Sequence, residues 1–118
     1  MRVKAALAEA ASDAAVRYLE DCGFRILDRN WRSGSQILSI VATERHTFVV
    51  VDLRVRAGTR HGAPLEVIGA GRRTILRRLA ARWLAAHGVR FDQIRIDVLG
   101  LLQEGAGGFT IEHIRAVG

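Results

Sequence analysis

Asp52 and Arg54 are the residues of this chain whose types and spacing most directly suggest chemistry. They lie two positions apart in the segment VVVDLRVR, residues 49–56. Because side chains alternate along a strand, both project from the same face. Carboxylate oxygens are ligands that hard cations prefer, and a guanidinium group can bind phosphate through two hydrogen bonds. The pair could therefore serve a metal site and a phosphate contact, or the two charges could simply neutralise each other.

The surrounding sequence predicts one domain over residues 1–118, since no linker or internal repeat interrupts it. Apolar residues at three- and four-residue spacing predict helices over 4–22 and 72–87, ended by Gly23 and Gly88. β-branched runs between turn residues predict five strands. These strands cover residues 24–31, 37–42, 48–56, 93–102 and 109–114. The fold class is α/β, in the order helix, three strands, helix, two strands.

Arg72 begins the second predicted helix and is expected to approach the Asp52 segment. At 100° per residue it lies over the same face as Leu76, Leu79 and Trp83. It could therefore reach around the sheet edge toward Asp52.

Trp83 itself is expected in the core, and Trp31 is expected to close the core beside the first helix.

The composition favours a globular protein with an anionic partner. The formal net charge is +6, 49% of the residues are hydrophobic, and Lys4 is the only lysine. A basic, arginine-rich domain suggests a polyanion such as DNA or structured RNA, although a GC-rich genome gives the same preference for arginine over lysine. A single cysteine, Cys22, excludes an intramolecular disulfide, and the four histidines show no zinc-ligand spacing. No membrane span or signal peptide is recognised, so a cytoplasmic location is the default expectation.

A group of arginines is predicted near strand ends, in the basic loop after residue 56 and at the start of the second helix. Its members are Arg29, Arg32, Arg56, Arg60, Arg72 and Arg73. One hypothesis is a phosphate-binding rim, and the other is an ordinary solvated surface. Since no groove-reading motif is present, any binding should depend on backbone charge and shape and not on base sequence.

The order of elements and several local patterns resemble the YraN-like family of uncharacterised bacterial proteins. The resemblance runs from about Ala11 to Ile114. Its pieces are RYL and GFRIL at residues 17–27, RNWR at 29–32, IVA at 40–42, VVVDLRVR at 49–56, GAP at 62–64 and IEHI at 111–114. Asn30-Trp31-Arg32 is the most distinctive of them.

The family resemblance implies a restriction-endonuclease-like fold, related to Holliday-junction resolvases, with a mixed sheet flanked by helices. It also implies a magnesium site made by a helix Glu, a strand Asp and a Glu-x-Lys on the next strand. Mapped residue by residue, the family's Glu and Asp fall on Ser12 and Ser39, and its Glu-x-Lys falls on Asp52 and Arg54. Only one of the three carboxylates remains, one methylene shorter than in the family.

These replacements predict a nuclease fold that has lost metal-dependent cleavage. One carboxylate with two neutral hydroxyl groups attracts a strongly hydrated magnesium ion weakly, and Arg54 cannot act as a base. The leading hypothesis is a nucleic-acid-binding pseudoenzyme without a required cofactor, and a homodimer is possible. One alternative is an active, magnesium-dependent endonuclease with Asp52 central and Arg54 and Arg72 holding phosphate. A third is a protein-interaction module on a vestigial nuclease fold.

Overall fold

The computed structural model describes the backbone of residues 2–56, 68–105 and 108–117, and the side chains of these residues from Ala5 onward. The elements are α1 (Arg2–Asp21), β1 (Arg25–Ser33), β2 (Gln36–Glu44), β3 (Thr47–Arg56), α2 (Ala70–His87), β4 (Gln93–Glu104) and β5 (Gly108–Ile114). The predicted order of elements is confirmed. Neither helix of the described chain has the length and apolar character needed to cross a bilayer.

The five strands form one mixed sheet in the order β1-β2-β3-β4-β5. β3 and β4 are parallel, whereas the other neighbouring pairs are antiparallel. The segment that contains α2 makes the crossover that a parallel pair requires. With the helices packed on the sheet, this is the three-layer α/β arrangement that the resemblance implies, and it is consistent with a nuclease-like fold.

The two helices cover opposite faces of the sheet. α1 buries Ala11, Ala15 and Leu19 against a cluster that includes Val49 and Val51 of β3. On the other face, α2 packs its own buried residues against Leu38, Phe48, Val50, Ile96 and Val98. Because both faces of its first half are covered, β3 is apolar in a continuous run there, as parallel strands inside α/β folds generally are. Each fully buried Val, Leu, Ile or Phe side chain contributes about 1.5–3 kcal/mol to folding.

The observed boundaries differ from the predicted ones mainly at turns. β2 and β3 both extend into the predicted connection 43–47, which leaves only Arg45 and His46 as the turn. Arg45 has a φ of 55°, the left-handed conformation that such a tight hairpin needs. α1 ends one residue earlier than predicted, and Cys22, expected in its apolar stripe, is exposed.

The prediction that Trp31 lies beside the first helix is wrong. Trp31 packs against the cluster under α2, and its ring lies 6.4 Å from that of His87, at the end of α2. Trp31 lies opposite Leu38 of β2, and Leu38 belongs to the cluster under α2. Directly opposed residues of neighbouring strands share a face of the sheet, so Trp31 lies on the α2 side. Trp83 is in the core, as predicted.

The sheet divides at one end. The pairing of β2 with β3 runs from Glu44↔Thr47 only as far as Ile40↔Val51. In contrast, β1 stays paired with β2 to Ser33↔Gln36, and β3 stays paired with β4 to Arg56↔Leu102. Beyond Ile40 and Val51, the sheet therefore consists of two arms, the β1–β2 arm and the β3–β4–β5 arm.

Candidate nucleic-acid interface

Ser39 and Asp52 are the first residues beyond the last pair between β2 and β3. They are the positions on which the family's strand Asp and its Glu fall. The division of the sheet thus begins at the two positions where the resemblance implied metal ligands. This locates the candidate site at the gap between the two arms.

Asp52 lies between two guanidinium groups. Nη2 of Arg72 is 3.0 Å from Oδ1 of Asp52, and Nε of Arg54 is 3.6 Å from Oδ2. The Asp52 side chain is only 6% exposed, whereas those of Arg54 and Arg72 are 34% and 33% exposed. The carboxylate is therefore covered, and the two cations above it remain accessible to an anion.

Arg72 also connects the two arms of the sheet. Besides its bond to Asp52 on β3, its Nη1 lies 3.5 Å from Oε1 of Gln36 on β2. The predicted approach of Arg72 to Asp52 is therefore seen, and the contact with Gln36 is an addition to it. One side chain from α2 spans the gap where β2 and β3 have stopped pairing.

Ser12 and Ser39 lie in a separate cleft beside α1. The cleft has a volume of about 690 Å³. Its lining is formed by Ala5, Ala8, Glu9, Ser12, Asp13, Arg29, Asn30, Ser39, Leu53 and Val55. Nη2 of Arg29 lies 2.7 Å from Oγ of Ser12 and 2.7 Å from Oδ1 of Asp13. The family's helix-Glu position is thus occupied by a hydroxyl that already accepts a bond from arginine.

The structure does not gather the predicted catalytic positions into one site. Leu53 and Val55 line the cleft on the α1 side, and Asp52 and Arg54 alternate with them. Asp52 consequently meets Arg72 on the α2 side, apart from Ser12 and Ser39 in the cleft.

These residues do not fit a magnesium ion. Hard divalent cations need several oxygen ligands, usually with more than one carboxylate. Asp52 is engaged by two guanidinium groups, and Ser12 by a third. Within the described part of the chain, no three His, Cys, Asp or Glu side chains are grouped so that they could hold a metal. The donor chemistry around Asp52 is suited to anions, and no metal-dependent step can be derived from it.

The remaining predicted arginines are distributed over the same end of the fold. Arg32 and Arg56 are exposed. Arg54 and Arg56 line a groove of about 110 Å³ together with Gly100 and Glu112 on the neighbouring strands. Arg73 donates to the carbonyl of Ile68 over 2.8 Å and so fastens the start of α2. Arg60 lies outside the described residues.

A buried polar cluster on β4 and β5, centred on Asp97, was not predicted from the sequence. Asp97 is fully buried and receives bonds from Nε and Nη2 of Arg95, from Nε2 of His113 and from the amide of Ala116. Nδ1 of the same ring lies 3.1 Å from the Tyr18 hydroxyl, within hydrogen-bond distance. Each polar side chain of this cluster has a hydrogen-bond partner, which is typical of a structural network.

Charge is balanced throughout this cluster. Burial raises the pKa of Asp97, but the hydrogen bonds from Arg95, Ala116 and His113 outweigh it, so the pKa lies below its usual range. The pKa of Glu44 is shifted in the same direction. Burial raises it, but the hydrogen bonds from Arg115 and Arg95 have the larger effect, so the pKa lies below its usual range. The signal in the sequence was Arg95-x-Asp97, which has the same strand spacing as Asp52-x-Arg54.

Comparison with known proteins identifies the family. The model of the uncharacterised protein family UPF0102 matches residues 11–100. UPF0102 proteins of Arthrobacter sp. (strain FB24) and Beutenbergia cavernae are 37% and 39% identical to this chain over 118 residues, which are 100% of each chain. Another, from Frankia casuarinae, is 39% identical over 115 residues, or 98% of each chain. The chain therefore belongs to the UPF0102 family, also called YraN-like, as its sequence pieces and its order of elements indicated.

Proposed function

We propose that this protein binds the phosphate backbone of DNA or structured RNA at the divided end of its sheet, without metal-dependent cleavage. The observation that carries the proposal is the arrangement around Asp52. One covered carboxylate faces two guanidinium groups that are each about one-third exposed, at 34% and 33%. The cluster has a surplus of one positive charge and presents it outward.

The topology supports this by placing several arginines at one end of the molecule. β3 runs toward the divided end, and α2 begins after it, so Arg56, Arg72 and Arg73 belong to that end. β1 runs in the same direction as β3, because each is antiparallel to β2, and this brings the end of β1 with Arg32 there too. Planar guanidinium groups suit phosphate oxygens well.

The absence of cleavage is inferred from the chemistry of the replaced positions. A metal-dependent nuclease needs carboxylates to hold the ion that activates water and stabilises the leaving oxygen. Here Ser12 accepts from Arg29, and Asp52 accepts from Arg72. An arginine at position 54 retains a positive charge but has no accessible neutral form with which to take a proton.

Fluorescence anisotropy with labelled duplex DNA, branched DNA, single-stranded DNA and an RNA hairpin tests the binding. If about four arginines each neutralise one phosphate, affinity should fall on the order of 10²-fold between 50 and 200 mM salt. Affinities for duplexes of unrelated sequence should agree within a few-fold, since backbone contacts carry no sequence information. Absence of binding to all four probes at 50 mM salt would contradict the proposal.

A further inference from the structure

Helix α2 carries more positive charge than its packing requires. Its sequence, AGRRTILRRLAARWLAAH, contains five arginines and no acidic residue. The face packed on the sheet consists of Leu76, Leu79, Ala80 and Trp83. Like charges four residues apart destabilise a helix, and Arg78 and Arg82 have that spacing. The stability of the helix therefore does not explain why both arginines stand on this exposed face.

Arg78 and Arg82 border a groove between α2 and the β1–β2 arm. The groove has a volume of about 210 Å³ and is lined by Gln36, Ile75, Arg78, Leu79 and Arg82. Nη1 of Arg82 lies 3.2 Å from Oγ of Ser33, the last residue of β1. This bond ties the arginine to the β1–β2 arm.

The charges of this groove are not neutralised by the part of the protein that the structure describes. Neither Arg78 nor Arg82 forms an ion pair with any described carboxylate. No acidic residue is among those that line the groove. An anion with several oxygens would satisfy two guanidinium groups and the neighbouring hydroxyl at once.

Gln36 joins this groove to the Asp52 cluster. It lines the groove, and its Oε1 faces Nη1 of Arg72. Arg72 and Arg82 are ten positions apart, which is roughly 15 Å along the helix axis. Because successive phosphates of one DNA strand advance by about 3.4 Å along the duplex axis, this distance corresponds to about four nucleotides.

We infer that the Arg78–Arg82 groove is a second phosphate-binding site, at which a nucleic-acid strand bound near Asp52 continues along α2. This inference rests on the proposed function and extends its footprint from the divided end of the sheet to the outer side of the helix. The ligand is a backbone phosphate of DNA or RNA. The groove contributes no base recognition.

The test compares two double variants of equal charge. Arg78→Gln/Arg82→Gln removes the groove, and Arg17→Gln/Arg90→Gln removes two exposed arginines from α1 and from the segment after α2. Binding of a labelled duplex is measured by anisotropy from 50 to 200 mM salt. Each lost phosphate contact reduces the slope of log K against log salt by about 0.9, so the groove variant should lose about 1.8 and bind at least about tenfold more weakly at 100 mM salt. The control should retain the wild-type slope.

The outcomes separate this inference from the proposed function. If the wild-type protein binds and both double variants have the same slope, the groove is not a phosphate site, although the proposed function stands. If the wild-type protein does not bind, both fail. The substituted side chains are exposed and form no ion pair with a described residue, so the circular dichroism spectra and unfolding midpoints of both variants should be near the wild-type values. Such values would show that a change in slope does not come from unfolding.

Discussion

Arg72 at the start of α2 donates to Asp52 near the end of β3 over 3.0 Å. The bond joins residues 20 positions apart and covers the carboxylate of Asp52, which is only 6% exposed. A carboxylate in this position acts as a counter-ion that holds a guanidinium group in place.

Asp52→Asn should strengthen nucleic-acid binding. The change removes a negative charge beneath two arginines, and a unit charge roughly 7 Å from a phosphate accounts for about 0.6 kcal/mol in a water-like dielectric, or about threefold in affinity. The unfolding free energy should fall by about 1 kcal/mol, because Arg72 loses a charged partner in a partly exposed pair. Anisotropy and urea unfolding measure the two effects. Weaker binding by a folded Asp52→Asn protein would contradict this prediction and would show that positioning of Arg72 by the carboxylate outweighs the lost repulsion.

Arg32→Gln and Arg56→Gln should each weaken binding equally for all sequences. Both residues are exposed at the divided end of the sheet and are expected to contact phosphates. Each substitution should reduce the salt slope by about 0.9. Anisotropy with three duplexes of unrelated sequence provides the measurement, with Arg17→Gln as the control. A loss confined to one duplex would instead indicate a base contact.

Asp97→Asn should destabilise the protein by about 2–4 kcal/mol at pH 7, because it removes the buried charge that faces Arg95. The effect depends on pH in a defined direction. The folded pKa of Asp97 lies below its ordinary value, so its stabilising contribution is complete above the unfolded pKa of about 3.9 and is lost as the pH falls through the lower folded pKa.

Urea unfolding of wild type and Asp97→Asn at pH 7, 5, 4 and 3 checks this prediction. The difference in unfolding free energy should be constant between pH 7 and 5 and should shrink below about pH 4. A difference that grows on acidification would contradict the assigned direction of the pKa. Asp21→Asn, an exposed carboxylate at the end of α1, is the control and should change stability by less than about 0.5 kcal/mol.

Trp83→Phe should lower the unfolding free energy by about 2 kcal/mol. Trp83 is 4% exposed, and its Nε1 donates to Oδ2 of Asp28 over 2.8 Å, so phenylalanine removes the donor to that oxygen. Trp31→Phe is the matched control, since Trp31 is only partly buried at the edge of the same cluster. Chemical denaturation should show a clearly smaller loss for Trp31→Phe. Equal losses would mean that the hydrogen bond to Asp28 contributes little.

The fold was largely predictable because its apolar patterns are regular. The stripe Leu76, Leu79, Trp83 identified the buried side of α2, and the β-branched run around Val50 identified β3. What periodicity could not supply was the pairing register of β1 against β2. That register, which shifts between Ile26 and Asp28, places Trp31 opposite Leu38 in the cluster under α2.

The candidate site was predictable only in part, for a reason of geometry. The position of Arg72 on its helix predicted its contact with Asp52, since both depend on regular periodicity. The separation of Ser39 from Asp52 depends on where β2 and β3 stop pairing, and the sequence contains no local signal for that point. Gln36 and Ser33 acquire their roles only through this divergence of the arms.

The central claim, binding without cleavage, is tested most directly by incubating the protein with labelled branched and duplex DNA at 50 mM salt. Parallel samples contain EDTA, magnesium or manganese, and native and denaturing gels report binding and cutting. We predict shifted bands in all samples and intact strands in all of them, for wild type and for Asp52→Asn alike. Metal-dependent cutting that disappears in Asp52→Asn would contradict the account and would make Asp52 a metal ligand after all.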